Sequence, residues 1–415
     1  MWQHILLISL LGPAQAPAAP KPSENTCVQC HLAMGDPLAA PVKLLEHDIH
    51  SQNGLSCSSC HGGDPTKIAP GEAMDPRRGY IGKPARKRIA ALCASCHSNP
   101  DYMRKYNPRL RVDQYSEYLT SVHGKKNQAG DDNVATCIDC HGNHGIRAVN
   151  DANSPVYPPN VAATCGRCHS DPKRMGSYGI AADQQALYTK SVHGEALIKQ
   201  RDLSAPTCNS CHGNHGAAPP GVDSVANVCG QCHVIQSDLF SKSPHRKAFA
   251  EHQWPGCVTC HQNHLIERPT DAMLGVTEGT TCAVCHQQGT PAYAAAQQMK
   301  SDISGLDQRL TAATQILDRA QRAGMEVSQP IYHLIEGKDH LVHARVELHR
   351  FDKALVQKMV AEGDAIAADS DKSGLKALDD LAYRRKGLVV SAAILICMIG
   401  LLVLKIRQSR PVGTR

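Results

Sequence analysis

The sequence predicts a mainly α-helical chain with much irregular structure, which ends in an antiparallel helical hairpin and a single transmembrane helix. Three observations lead to this fold class. Nine copies of Cys-x-x-Cys-His are spread over roughly the first two thirds of the 415 residues. A heptad pattern of apolar residues follows them, and an uncharged apolar run lies near the C-terminus.

Each Cys-x-x-Cys-His motif is the signature of a covalent c-type haem site. Two thiols must reach two vinyl groups on one porphyrin edge, while the imidazole of the next residue reaches the iron. The predicted attachment cysteines are Cys27, Cys30, Cys57, Cys60, Cys93, Cys96, Cys137, Cys140, Cys165, Cys168, Cys208, Cys211, Cys229, Cys232, Cys257, Cys260, Cys282 and Cys285. The predicted proximal iron ligands are His31, His61, His97, His141, His169, His212, His233, His261 and His286.

Close cysteine pairs also occur in zinc knuckles and in redox dithiols. Neither of these requires a histidine after the second cysteine, whereas all nine pairs here end in one. The motifs use 18 of the 19 cysteines, so no disulfide framework remains. The sequence therefore predicts nine covalently attached haem c groups and an electron-handling function.

The composition of the motif region agrees with a core made of haem. The whole chain has only three Phe and two Trp, too few large apolar side chains for an ordinary core of this size. We expect residues 21–290 to form a nonahaem cytochrome c domain in which the polypeptide wraps the porphyrins. Without haem this domain should not fold.

The motif region repeats as a first motif, a Ser-x-His, and a second motif that is usually continued by Asn-His. The first unit differs, because Asp64 stands where the extra histidine would be. A second imidazole would close the iron, so we predict that the repeat histidines are sixth ligands. They are His50, His123, His144, His193, His215, His245 and His264.

Two further ligands are needed for nine haems. The available histidines are His47, His252, His333, His340, His343 and His349. We select His340 and His343, which lie one helical turn apart on the predicted hairpin. Which histidine serves which iron is left open.

The segment after the last motif carries two helical patterns. In the first helix the seam is Met299, Ile303, Leu306, Leu310, Ala313, Leu317 and Ala320, and Gly324 is placed to end it. Pro330 opens a second helix with Leu334, Leu341, Leu348 and Leu355, which runs to about Gly363. We predict an antiparallel hairpin over residues 291–368 and a linker over residues 369–386.

The apolar run of residues 387–404 has basic residues on both sides, which is typical of a membrane span. Haem c attachment occurs outside the cytoplasm, so the haem domain is expected in the periplasm and residues 405–415 in the cytoplasm. At the other end, the short apolar stretch of residues 5–11 and Ala14-Gln15-Ala16 indicate a signal peptide over residues 1–20. No Lys or Arg precedes that stretch, so either the true start lies upstream or the segment stays as a weak anchor. The pattern favours cleavage after Ala16.

The alternation of these motifs over about residues 27–286 resembles the superfamily of bis-histidine multihaem cytochromes c. That superfamily contains the tetrahaem carrier of nitrifying bacteria, the octahaem hydroxylamine oxidoreductases and the octahaem tetrathionate reductases. The resemblance implies haems stacked in close parallel and perpendicular pairs. The helical segment after the last haem is also similar to the oxidoreductase members.

The resemblance leaves carrier and enzyme open. Nitrite reductases and tetrathionate reductases of this superfamily carry a lysine-ligated haem, whereas every motif here carries histidine. Hydroxylamine oxidoreductases need an open haem, and the histidines outside the motifs outnumber the nine irons. The surplus favours a carrier without catalytic residues. An open haem in the unit of Asp64, or at the ninth motif, would make the protein an oxidoreductase of a nitrogen or sulfur compound.

We therefore predict a membrane-anchored periplasmic wire for anaerobic respiration. Its expected partners are a quinone-linked redox subunit of the inner membrane and periplasmic or outer-membrane cytochromes. A filament subunit is disfavoured by the C-terminal span. Nucleic acid is not expected as a partner, because haem propionates and ferric centres would change the polypeptide charge of +6 to about −3.

Overall fold

A computed structural model describes residues 25–216, 222 and 225–409, and this part of the chain contains helices and irregular segments but no strand. The predicted mainly helical class is confirmed. The predicted signal peptide and the last residues of the predicted tail lie outside the described residues. The chain divides into two compact units, residues 1–228 with 262–267 and residues 229–261 with 268–415.

The first compact unit consists of short helices joined by turns. Its α-helices are Thr26–Ala33, Ala40–Lys43, Ile49–Gln52, Cys57–His61, Pro70–Ala73, Arg86–His97, Pro100–Met103, Gln114–Thr120, Val122–Gln128, Cys137–His141, Pro158–His169, Pro172–Gly176, Gln184–Lys190, Val192–Gly194 and Cys208–His212. Short 3-10 helices span Leu45–His47 and Pro76–Arg78, and a π-helix spans Glu195–Lys199. A further 3-10 helix, Val225–Gln231, lies at the boundary of the two units.

Several second motifs form a single helical turn that opens on a hydroxyl residue. The backbone N–H of that residue donates to the side chain three positions later, which fixes the start of the turn. The bonds join Ser56 to Ser59 (3.0 Å), Thr136 to Asp139 (2.7 Å) and Thr207 to Ser210 (3.1 Å). One helical turn brings the two cysteines and the histidine of a motif to one side of the backbone.

The second compact unit combines three motifs with three long helices. Its short α-helices are Val234–Ser241, Pro244–Glu251 and Val258–His261, and its 3-10 helices are Asp271–Met273, Cys282–Val284 and Leu348–Arg350. We label the long helices α1 (Pro291–Arg322), α2 (Ser328–Glu347) and α3 (Lys353–Gln408). Helices α1 and α2 form the predicted hairpin, and the first half of α3 packs against both.

The three long helices share one apolar core. The predicted seam of α1 is buried along its whole length, from Met299 to Ala320, together with Leu334 and Leu341 of α2. Helix α3 runs in the same direction as α1, because Asp302, Arg309 and Ile316 of α1 meet Gln357, Asp364 and Gly374 of α3 in that order. This bundle has the heptad core that the sequence predicted, with a third helix added.

The second helix of the hairpin is shorter than predicted. It ends at Glu347 rather than near Gly363, because Phe351 adopts a left-handed conformation with φ 55°. Asp352 then caps α3 by accepting bonds from the N–H groups of Ala354 (3.0 Å) and Leu355 (3.4 Å). Gly363 ends no helix. It allows close packing, since a Cβ there would lie 2.9 Å from a methyl carbon of Leu306.

The segment predicted as a linker, residues 369–386, is helical. Helix α3 is continuous over 56 residues and about 84 Å long. Its bundle packing reaches Gly374, where a Cβ would lie 2.6 Å from Ile316. The apolar end of α3 is long and apolar enough to cross a membrane, and none of that stretch is buried inside the chain.

Candidate haem sites

Seven motif histidines lie opposite a second histidine in the described part of the chain. Their ring centroids are 5.8 to 6.2 Å apart. The pairs are His97 with His50 (5.9 Å), His61 with His144 (6.0 Å), His169 with His123 (6.1 Å), His141 with His215 (6.2 Å), His212 with His264 (6.0 Å), His286 with His245 (5.8 Å) and His261 with His349 (6.1 Å).

This separation fits two imidazoles that bind one iron from opposite sides. A metal to imidazole nitrogen distance of about 2 Å on each side places the two ring centroids about 6 Å apart. Within the described residues, no group of three or more His, Cys, Asp or Glu side chains is placed to hold a metal ion. A two-histidine set suits haem, because the porphyrin supplies the other four ligands.

The second motifs of the first three units face a histidine of the following unit. His61 lies opposite His144, and the next second motifs pair in the same way with His215 and His264. In these three pairs the ring planes are 17°, 7° and 15° apart, so the rings are nearly parallel. The Asn-His that ends one unit therefore faces the second motif of the unit before it.

Three first motifs face a histidine of the preceding unit instead. His97 lies opposite His50, His169 opposite His123, and His286 opposite His245. Here the ring planes are 64° to 89° apart. Two kinds of pair therefore alternate along the chain, and both join neighbouring units. His193 follows Ser191 in its unit as His123 follows Ser121, so it occupies the equivalent place in the repeat.

The Ser-x-His-Gly sequence holds its histidine through three local contacts. The hydroxyl of Ser121 donates to the carbonyl of Tyr118 (2.6 Å) and accepts from the N–H of Gly124 (3.0 Å). The Tyr118 hydroxyl donates to the carbonyl of Ala135, just before the second motif (2.9 Å). A second copy has the same bonds, made by Tyr188, Ser191, Gly194 and Pro206. The preceding tyrosine is therefore part of the motif, which the sequence reading missed.

We expect Gly124→Ala to disturb the fifth haem site. A Cβ at Gly124 would overlap the carbonyl oxygen of Tyr118, so the turn that carries His123 must shift. The expected loss of stability is about 1–3 kcal/mol, measured by denaturant unfolding of the haem-containing protein. One haem should also become high-spin in the EPR spectrum. Gly176→Ala is the control, because its Cβ would have nothing within 4 Å; equal effects of the two variants would contradict the prediction.

Burial keeps the facing histidines neutral. It lowers the pKa of His141 to about 4, so the imidazole is uncharged at pH 7, which is the form that binds a metal. Burial lowers the pKa in the same way for His97, His123, His144, His169, His212, His215, His245, His261 and His264. The Nδ1 of His61 bonds to the carbonyl of Gly82 (2.8 Å), which leaves Nε2 free to bind a metal.

The two motifs of one unit adjoin each other. The first cysteines of the two motifs lie against each other in three units: Cys93 with Cys137, Cys165 with Cys208, and Cys229 with Cys257. The cysteines predicted to attach two haems therefore lie side by side in each of these units.

The predicted hairpin ligands lie elsewhere. His340 is in the bundle with its Nδ1 3.4 Å from a carboxylate oxygen of Glu362, and His343 is exposed on α2. His349, another histidine that the sequence offered as a candidate ligand, faces His261 instead. The difference arises because the C-terminal end of α2, rather than its middle, meets the motif region.

Other candidate histidines also lack such a partner. His47, His252 and His333 are exposed, and His252 stacks on Trp254 at 4.8 Å. Within residues 25–216 and 225–409, no histidine ring faces His31. The sequence left an open haem as an alternative in the unit of Asp64 and at the ninth motif. In that unit His61 faces His144, and at the ninth motif His286 faces His245. The first motif is thus the exception in the described chain.

Comparisons with known proteins point to one class. A family model described as cytochrome c3 matches residues 49–170, and one described as cytochrome c554 and c-prime matches residues 13–62. The helical fold, the facing histidines and these matches support a multihaem c-type cytochrome with covalently bound haem c.

The chain is similar to a C-type polyheme cytochrome, OmcC, of Geobacter sulfurreducens. The two are 26% identical over 235 residues, which is 52% of this chain and 26% of that protein. The match thus spans about a quarter of the length of that relative. No solved structure matches significantly. The relationship supports an electron-transfer role.

Proposed function

We propose that this protein is a membrane-anchored periplasmic electron-transfer protein of anaerobic respiration. Nine haem c groups would relay electrons between a membrane quinone-linked partner and a periplasmic or outer-membrane cytochrome. The observation that carries the proposal is the facing of histidines at seven motifs of the described chain. Haem c supplies reversible one-electron chemistry when it is bound.

The facing histidines favour a carrier over an enzyme. Two imidazoles that held one iron would leave it no position for a substrate. Burial holds these imidazoles neutral and in place, which favours the same coordination in both oxidation states. The adjoining cysteines of Cys93 with Cys137, and of Cys165 with Cys208, support short distances between successive cofactors.

The length of helix α3 limits where a redox partner could meet the sites beside the bundle. Helix α3 begins at Lys353, next to the turn that carries His349, and its apolar run begins at Gly387. At 1.5 Å per residue these points are about 50 Å apart along the helix. Electron tunnelling falls off steeply with distance, so the two sites beside that turn would exchange electrons with a partner whose redox centre stands outside the bilayer.

One observation favours the second candidate, an oxidoreductase of a nitrogen or sulfur compound with one five-coordinate haem. No histidine ring among the described residues faces His31. In the repeat, a first motif takes its facing histidine from the preceding unit, and His31 belongs to the first unit among the described residues. An iron held there by His31 alone would be open to a small molecule.

The test is to mature the protein with haem in a bacterial periplasm, count the haems by mass, and record EPR spectra of the oxidised form. We expect nine haems and a reversible nine-electron titration, with no signal that shifts on addition of nitrite, hydroxylamine or sulfite. A high-spin signal that shifts with one of these compounds, and disappears in the variant Cys27→Ser/Cys30→Ser, would instead support the oxidoreductase.

A further inference from the structure

The second motif of the fourth unit needs a facing histidine that the repeat does not provide. In the first three units the second motif faces the Asn-His of the next unit, at His144, His215 and His264. After His264 the chain has one more motif, Cys282 to His286, but no further Asn-His. His261 is therefore the second-motif histidine for which the repeat leaves no partner.

His349 occupies the place of the missing repeat histidine. Its ring centroid is 6.1 Å from that of His261, and the two ring planes are 15° apart. The three repeat pairs of this kind have separations of 6.0 to 6.2 Å and plane angles of 7° to 17°. The pair of His261 and His349 thus has the geometry of the other second-motif pairs, although His349 comes from the helical bundle.

The local structure aims one nitrogen of His349 at the site. Its Nδ1 lies 2.9 Å from the carbonyl oxygen of Val346, so the proton is on Nδ1 and the lone pair is on Nε2. The backbone is held by the 3-10 turn Leu348–Arg350, which packs against the helix Val234–Ser241. A fixed ring with a free Nε2 is what a metal ligand requires.

The same turn touches the ninth site. Phe351, in its left-handed conformation, places its ring centroid 3.9 Å from that of His245, the histidine that faces His286. Arg345 of α2 bonds to both carboxylate oxygens of Asp271, at 2.9 and 2.7 Å, and ties the bundle to the loop between the last two motifs. The corner between α2 and α3 is thus fastened to the region of two haem sites.

We propose that His349 supplies the sixth iron ligand of the haem attached at Cys257 and Cys260. The bundle then completes the haem region, in place of a fifth repeat, and the membrane-spanning helix starts four residues after an iron ligand. The inference rests on the proposed haem attachment but does not depend on whether the protein is a carrier or an enzyme.

The test uses the full haem-containing chain and two variants of one residue. In His349→Met we expect one haem of the set to gain the near-infrared band of a methionine-ligated ferric iron and a raised potential. In His349→Ala we expect one additional high-spin haem, which binds carbon monoxide when reduced. His340→Ala and His343→Ala are matched controls on the same bundle, and neither should change the spectra.

The outcomes distinguish the proposed haem attachment from the proposed role of His349. A haem count by mass that falls short of nine in the unchanged protein contradicts the proposed attachment rather than the role of His349. With the count intact, unchanged low-spin spectra in both His349 variants overturn the inference, as does a new high-spin haem in His340→Ala or His343→Ala. The methionine variant keeps six-coordination available, and the bundle core from Met299 to Ala377 does not include His349, so loss of folding is not expected to mask the result.

Discussion

Haem-free protein is expected to lose the structure of residues 25–286 while the three-helix bundle stays folded. The hydrophobic core cluster that the structure describes runs from Met299 to Ala377, entirely within the bundle. In the motif region the buried apolar side chains are scattered, such as Ile89, Met175 and Leu197. Without haem, that region would bury too little apolar surface to offset the entropy of ordering its backbone.

The measurement is limited proteolysis with mass analysis of the fragments. Protein made in the cytoplasm, where haem c is not attached, is compared with protein matured in the periplasm. We expect the haem-free form to yield one protected fragment of about residues 291–384, and the mature form to protect the motif region as well. Protected fragments from residues 25–286 in the haem-free form would show that the polypeptide folds without its cofactor.

The second large effect concerns the pairing of neighbouring units. His144 follows the motif of Cys137 and Cys140 directly in sequence, yet it faces His61 of the preceding unit. We expect His144→Ala to convert one haem of nine to a high-spin, carbon monoxide-binding form. That haem should be the one attached at Cys57 and Cys60.

Combined variants identify the affected haem. Adding Cys57→Ser and Cys60→Ser to His144→Ala should remove the high-spin signal, whereas adding Cys137→Ser and Cys140→Ser should leave it. His252→Ala is the control, because that exposed histidine stacks on Trp254 and faces no motif in the described chain. Loss of the signal with the second pair of substitutions would mean that His144 serves the haem of its own unit.

Much of the C-terminal bundle could be predicted because its signals are local. The seam from Met299 to Ala320 is buried as its heptad spacing indicates, and Gly324, with φ 81°, follows the end of α1. The break before α3 was missed, although Asp352 is a favourable N-cap residue. Four leucines spaced by seven suggested one uninterrupted helix, and only the left-handed Phe351 interrupts it.

The hairpin ligands illustrate what helical spacing cannot provide. His340 and His343 are one turn apart, but that spacing says nothing about which end of a helix meets the motif region. The structure brings the C-terminal turn of α2 there, so His349 lies 6.1 Å from His261 while His340 points toward Glu362. A position along an axis depends on packing between elements, which a single helix pattern does not contain.

By itself, the sequence determined the chemistry and the number of candidate sites. Cys-x-x-Cys-His is a local pattern within one helical turn, and an apolar run of membrane length is equally local, so both can be recognised without a fold. Only the tertiary structure decided which histidines face each other. It pairs second motifs with histidines of the next unit and first motifs with histidines of the preceding unit. It also places a histidine of the bundle opposite the last second motif. The partners of each pair, such as His61 and His144, are remote in sequence, and their meeting depends on how whole units stack.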